Sequence, residues 1–199
     1  PASFRVLAES VAAAPPHKLT LPPNLPYGAI NSLSFSPQCL RPASAADRPC
    51  PRALLTAGQD ETARLWDPET LEQLAQLNGH DGAVRNARFS PDGSQVLTVG
   101  SSDGTVRVWS IAEGGRQLQM LTPPDEPLAA GFTPDGRGVA TVGRSSAARV
   151  WDVATGRERR QIPAAAGAKL AALSPDGATL AVVTDQNASA VVLIEVASG

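Results

Sequence analysis

The chain has 199 residues, is 42% hydrophobic and 18% charged, and carries a formal net charge of −2. That is enough for one or two domains with a core, and the mildly acidic balance excludes bulk electrostatic attraction to DNA, RNA or anionic lipid. No apolar run is long enough for a transmembrane helix, 18 prolines and 17 glycines argue against long helices, and two cysteines with two histidines leave little for a zinc site.

The elements fall into repeating groups. Residues 1–27 read as the end of a preceding unit and a connecting outer strand, because Phe4-Arg5-Val6-Leu7 matches Ala148-Arg149-Val150-Trp151. His17 has no partner at ligand spacing and reads as a surface residue. Residues 28–78 are the first full unit, opened by Phe35-Ser36-Pro37. Trp66 follows Phe35 by 31 residues, whereas the same interval is 20 and 19 in the next two units, so 38–51 reads as an inserted loop. Cys39 and Cys50 flank that loop and would close its stem as a disulfide in an oxidising compartment; two free thiols are the alternative.

Residues 79–122 show the pattern most fully. Strands are expected at Ala83–Phe89, Gln95–Val99, Thr105–Trp109 and Arg116–Leu121. Ser90-Pro91-Asp92-Gly93 is a turn, with Pro91 pre-setting φ and Gly93 accepting a positive φ. Units at 123–165 and 166–199 follow, the last without its fourth strand. Two landmarks keep one beat. Phe89-Ser-Pro-Asp-Gly93 recurs at 132–136 and 173–177, and Arg64-Leu-Trp-Asp67 recurs at 107–110 and 149–152, with spacings of 41 to 43 residues. Four short antiparallel strands cannot bury both faces alone, so neighbouring units must stack.

Gly79-His80, the Ser-Pro-Asp-Gly turn and Asp103-Gly-Thr-Val-Arg-Val-Trp109 together resemble the tryptophan–aspartate (WD) repeat family. The resemblance implies an all-β fold of β-propeller blades, each of four antiparallel strands a to d running outward from a channel. About four blades and part of a fifth are expected, an incomplete ring of a seven-bladed propeller. The remaining blades would come from the parent chain or a second copy. A four-bladed ring, with Lys18–Leu21 as the missing outer strand, is the alternative.

The resemblance also implies a buried hydrogen-bond network per blade. It joins a histidine before strand a, a hydroxyl on strand b, an aspartate in the b–c turn and the strand c tryptophan. The matching residues are His80, Thr98, Asp103 and Trp109 in the second unit, Thr56, Asp60 and Trp66 in the first, and Thr141 and Trp151 in the third. Pro26, Pro123 and Ser145 break the pattern, and the fourth unit has Val182 instead. Stability should then rest mainly on apolar packing between blades.

The family's partner contacts, carried over by position, fall on Asn31, Arg85, Leu128 and Lys169, and on Gln59, Ser102 and Arg144. A His80–Asp103 pair with Ser101 or Ser102 can be read as hydrolase machinery, but no catalytic motif accompanies it. Arg64, Arg107 and Arg149, each two residues before a tryptophan, read as structural, pairing turn carboxylates. The charged run Arg157–Arg160 reads as a solvated edge strand, since no aromatic residue accompanies it for nucleic-acid binding. The expected function is a non-enzymatic scaffold or sensor module for protein or peptide partners, cytoplasmic, with no cofactor and no metal. The alternatives are the propeller part of an enzyme or signalling protein, or a purely structural propeller. Fifteen arginines against two lysines suggest a GC-rich, bacterial genome.

Overall fold

A computed structural model describes residues 29–37, 53–143, 147–163, 168–174, 176–184 and 191–196. The inserted loop, both cysteines, His17, Pro26, Arg144 and Ser145 lie outside the described residues.

Each repeat forms one antiparallel sheet. The first contains β1 (Ile30–Phe35), β2 (Leu54–Gly58), β3 (Ala63–Trp66) and β4 (Gln73–Leu77). The second contains β5 (Val84–Phe89), β6 (Gln95–Gly100), β7 (Val106–Ser110) and β8 (Arg116–Leu121). The third contains β9 (Pro127–Phe132), β10 (Gly138–Gly143), β11 (Ala147–Asp152) and β12 (Glu158–Pro163). The fourth contains β13 (Ala168–Leu173), β14 (Thr179–Thr184) and β15 (Val191–Glu195). Every sheet is ordered as the chain runs, the pattern of a blade built from hairpins. Strand β7 starts at Val106, one residue later than the sequence suggests, because Thr105 is engaged in the preceding turn, its N–H donating to Asp103 Oδ1 at 3.0 Å.

The turns are built as their residues require. Gly93, Gly136 and Gly177 follow Asp92, Asp135 and Asp176 with φ near +70°, where a side chain would be strained. In each turn the preceding hydroxyl, Ser90, Thr133 or Ser174, donates to the aspartate. These bonds to the ionised form hold the three carboxyls below their usual range.

Packing follows the period-2 alternation of the middle strands. Val96 and Trp109 face the first sheet, packing with Leu55, Leu65 and Leu77. Leu97, Val99, Val106 and Val108 face the third sheet and meet Phe132, Val139 and Trp151. Ala140, Val142 and Val150 face the fourth, against Leu173, Leu180 and Val182. Three apolar walls thus join four sheets, and each sheet between two neighbours is covered on both faces. The stack does not close into a ring among the described residues. Leu33 and Phe35 are exposed on one terminal sheet, and Val191 and Leu193 on the other.

Candidate interaction face

The d–a loops and b–c turns gather at one end of the stack. There the second sheet holds a connected polar network. His80 Nδ1 lies 2.7 Å from Asp103 Oδ2, and its Nε2 lies 2.7 Å from Thr98 Oγ1. Trp109 Nε1–H donates to Thr98 Oγ1 at 2.8 Å. One proton arrangement satisfies all of them. Nδ1–H donates to the carboxylate, the Thr98 hydroxyl donates to Nε2, and the same oxygen accepts the indole N–H. The imidazole is therefore neutral. Burial pushes the His80 pKa below its ordinary value, outweighing the opposing pull of Asp103. Burial opposes ionisation of Asp103, but hydrogen bonds from Thr105 N–H and His80 prevail and hold its carboxyl below the usual range.

Sequence reasoning missed one participant, Thr105, which links Arg107 to the network. Thr105 Oγ1 donates to Asp103 Oδ2 at 3.0 Å, and Arg107 Nε donates on to Thr105 Oγ1 at 3.3 Å. Gly100 makes room for the network, because a Cβ there would come 2.7 Å from His80 Nδ1 and collide with the Asp103 carboxylate.

The other sheets carry reduced versions. Trp66 Nε1–H donates to Thr56 Oγ1 at 2.9 Å, and Trp151 Nε1–H donates to Thr141 Oγ1 at 2.8 Å. In the first sheet Asp60 is buried against Arg64 at 2.6 Å and accepts from Thr62 Oγ1. In the third, the space above Gly143 is filled by Asp125, a residue of the d–a loop rather than of the b–c turn. Nothing in the letter pattern signals that exchange. In the fourth, Val182 pairs with Val192 and is fully buried. Arg64 and Arg107 face turn carboxylates, Arg107 at 3.8 Å from Asp103, whereas Arg149 reaches Glu158 on the neighbouring strand at 2.8 Å.

The inner strands share a further device. Each pairs with its neighbour through a β-bulge at the same level, and the extra residues are Asn31, Arg85, Leu128 and Lys169. A bulge re-aims a side chain out of the ladder. Asn31 Nδ2 donates to the Val84 carbonyl at 3.0 Å, and Arg85 pairs with Glu126 at 2.7 Å with 38% of its side chain still exposed. Leu128 packs against the wall between the third and fourth sheets. Gln59 and Ser102 are exposed at the b–c turns. Between Ser102 and the Pro123–Glu126 loop lies an open cleft of about 390 Å³.

Neither His80 nor Ser101 is placed as the base or nucleophile of the hydrolase reading. Both His80 nitrogens are engaged by Asp103, Thr98 and Thr105, and Ser101 Oγ donates instead to the Ala83 carbonyl at 2.9 Å. No group of histidine, cysteine and carboxylate side chains suited to a metal ion occurs among the described residues.

Residues 25–67 and 71–110 match the family model described as WD domain, G-beta repeat. These two segments are similar to WD repeats. These segments contain the first sheet and the strands β5 to β7 of the second, including the complete network. Nuclear distribution protein PAC1 of Candida tropicalis is 39% identical over 64 residues, 32% of this chain and 13% of that protein. Apoptotic protease-activating factor 1 of Homo sapiens is 40% identical over 55 residues, 28% of this chain and 4% of that protein. The guanine nucleotide-binding protein subunit beta of Arabidopsis thaliana is 39% identical over 74 residues, 37% of this chain and 19% of that protein. The WD repeats matched here thus span less than a fifth of each of these relatives.

Proposed function

We propose that the chain is part of a WD-repeat propeller that acts as a non-enzymatic scaffold or sensor module, binding a protein or peptide on the face that carries the bulges. The observation that carries this reading is the repeated bulge, which sets Asn31, Arg85, Leu128 and Lys169 at one level beside the exposed Gln59 and Ser102. The rigid network behind the second sheet keeps that edge fixed, as an interaction platform requires. Arg144, carried over by sequence position, belongs to the same proposed face. The matched relatives point the same way. The name of one, the serine-threonine kinase receptor-associated protein of Gallus gallus, places that protein with a receptor. The named relatives are eukaryotic, while the arginine-rich, lysine-poor composition supports a bacterial signalling protein as the parent. A cytoplasmic location belongs to the same proposal.

The test is a peptide-display selection on the purified chain, followed by titration of the selected peptides. Arg85→Glu and Arg144→Glu are expected to weaken binding about tenfold or more, the usual effect of removing a charge-assisted contact. Undiminished binding by both variants would move the interaction surface elsewhere. Ester or peptide turnover abolished by mutating a single serine would overturn the non-enzymatic reading.

A further inference from the structure

Along the inner strands, from Ser32 and Asn86 to the Ser-Pro-Asp-Gly turns, lies a second cavity of about 420 Å³. Inner-strand residues at one level explain why it is open. Register aligns Ser34, Arg88, Gly131 and Ala172, each opposite a strand b residue, and the first three line the cavity. Three of the four are small, and the fourth is an arginine. Among the described residues, Arg88 is the only charged one lining the cavity. It is half-buried, and its single hydrogen bond among the described residues is a long one, 3.4 Å from Nη1 to the Leu173 carbonyl on the far side. No ion pair reaches it among the described residues. Asp92 and Asp176 lie in flanking turns, but both are turned onto their own turn hydroxyls and N–H groups. The walls beside Arg88 are aromatic, with Phe89 half-buried and Phe35 exposed.

A guanidinium placed among aromatic walls, without a carboxylate, is matched by an anion with an apolar flank. The volume suits a small ligand or one inserted side chain. We propose that this cavity binds a carboxylate carried on an apolar group, with Arg88 as its anchor. The carboxylate belongs either to a free organic acid or to an acidic residue or C-terminus of a peptide. The cavity adjoins the bulges at Asn31 and Arg85, but its anchor Arg88 is none of the bulge residues, and its role does not rest on the proposed face.

The test uses the whole chain and two probes, 3-phenylpropionate and a blocked peptide containing adjacent aspartate and phenylalanine. Calorimetric titration is paired with the Nε–H signal of Arg88 in nitrogen-edited NMR. Saturable binding of either probe, with a shift at Arg88, is expected. The probe that binds identifies the source of the carboxylate. Arg88→Gln should weaken binding by about tenfold or more, and Arg88→Lys by less, because the fork is lost but the charge is kept. Exposed Arg137 lies outside the cavity, so Arg137→Gln should change nothing. Thermal midpoints of the variants establish that each is folded. The proposal is overturned if neither probe saturates. It is also overturned if 3-phenylpropanamide binds as tightly as the acid, or if Arg88→Gln binds as wild type.

Discussion

Thr98→Val isolates the centre of the buried network at almost constant volume. Thr98 is fully buried and its hydroxyl serves two partners, accepting from Trp109 Nε1 at 2.8 Å and donating to His80 Nε2 at 2.7 Å. Valine leaves both without a bond in a site closed to water. Each orphaned group costs about 1–3 kcal/mol, so the expected loss is about 2–6 kcal/mol. For a chain of this length that corresponds to a fall of about 4–24 °C in Tm. Thr56→Val and Thr141→Val are the internal controls, because each hydroxyl has a single tryptophan partner in this network. Each should cost about half as much, about 1–3 kcal/mol. Urea unfolding followed by far- and near-ultraviolet circular dichroism measures all three, with m-values compared so that changes in the unfolded state are recognised. If Thr98→Val lies within about 0.5 kcal/mol of both controls, the two-partner role assigned to Thr98 is wrong.

Four further outcomes are expected. The pKa of His80 is lowered by burial, so the unfolded chain binds its proton first as pH falls; stability contributed by the neutral ring is complete above the ordinary value near 6.5 and declines below it. Tm should therefore drop between about pH 7.5 and pH 5.5, and a His80→Asn chain should show a flatter profile over that window. Gly100→Ala should destabilise strongly, by about 2 kcal/mol or more, because its Cβ enters the His80–Asp103 contact, and thermal unfolding reads it directly. Gly104→Ala meets nothing within 4 Å and should cost only about 1 kcal/mol of backbone strain at φ +65°. Glu61 occupies the matching position in the first repeat with φ +68° and is exposed, so Glu61→Gly should stabilise by up to about 1 kcal/mol, visible as a higher urea midpoint.

Much of the architecture was legible in the sequence because the turns are encoded locally. Proline, aspartate and glycine at fixed offsets fixed where each hairpin reverses, and the β-type runs between them fell on the observed strands within about one residue. The complete network was legible for the same reason, since the residue types of His80, Thr98, Asp103 and Trp109 each carry one necessary donor or acceptor. The bulges were not, because a bulge is a property of pairing between strands and leaves no residue signature at Asn31, Leu128 or Lys169. Arg88 was equally silent. The space around it comes from small residues on two other strands, Ser34 and Gly131, which only the stacked structure brings to one level.

The third repeat shows what this kind of module conserves. Its b–c turn has given up the aspartate, and Asp125 enters the same space from the opposite loop, above Gly143. In three of the four repeats a carboxylate fills the space beside the glycine that ends strand b, and either connection can deliver it; the fourth repeat has Thr184 at that position. Within one chain the residue that supplies the charge can thus change its place in the sequence while the volume beside the glycine stays occupied in the same way.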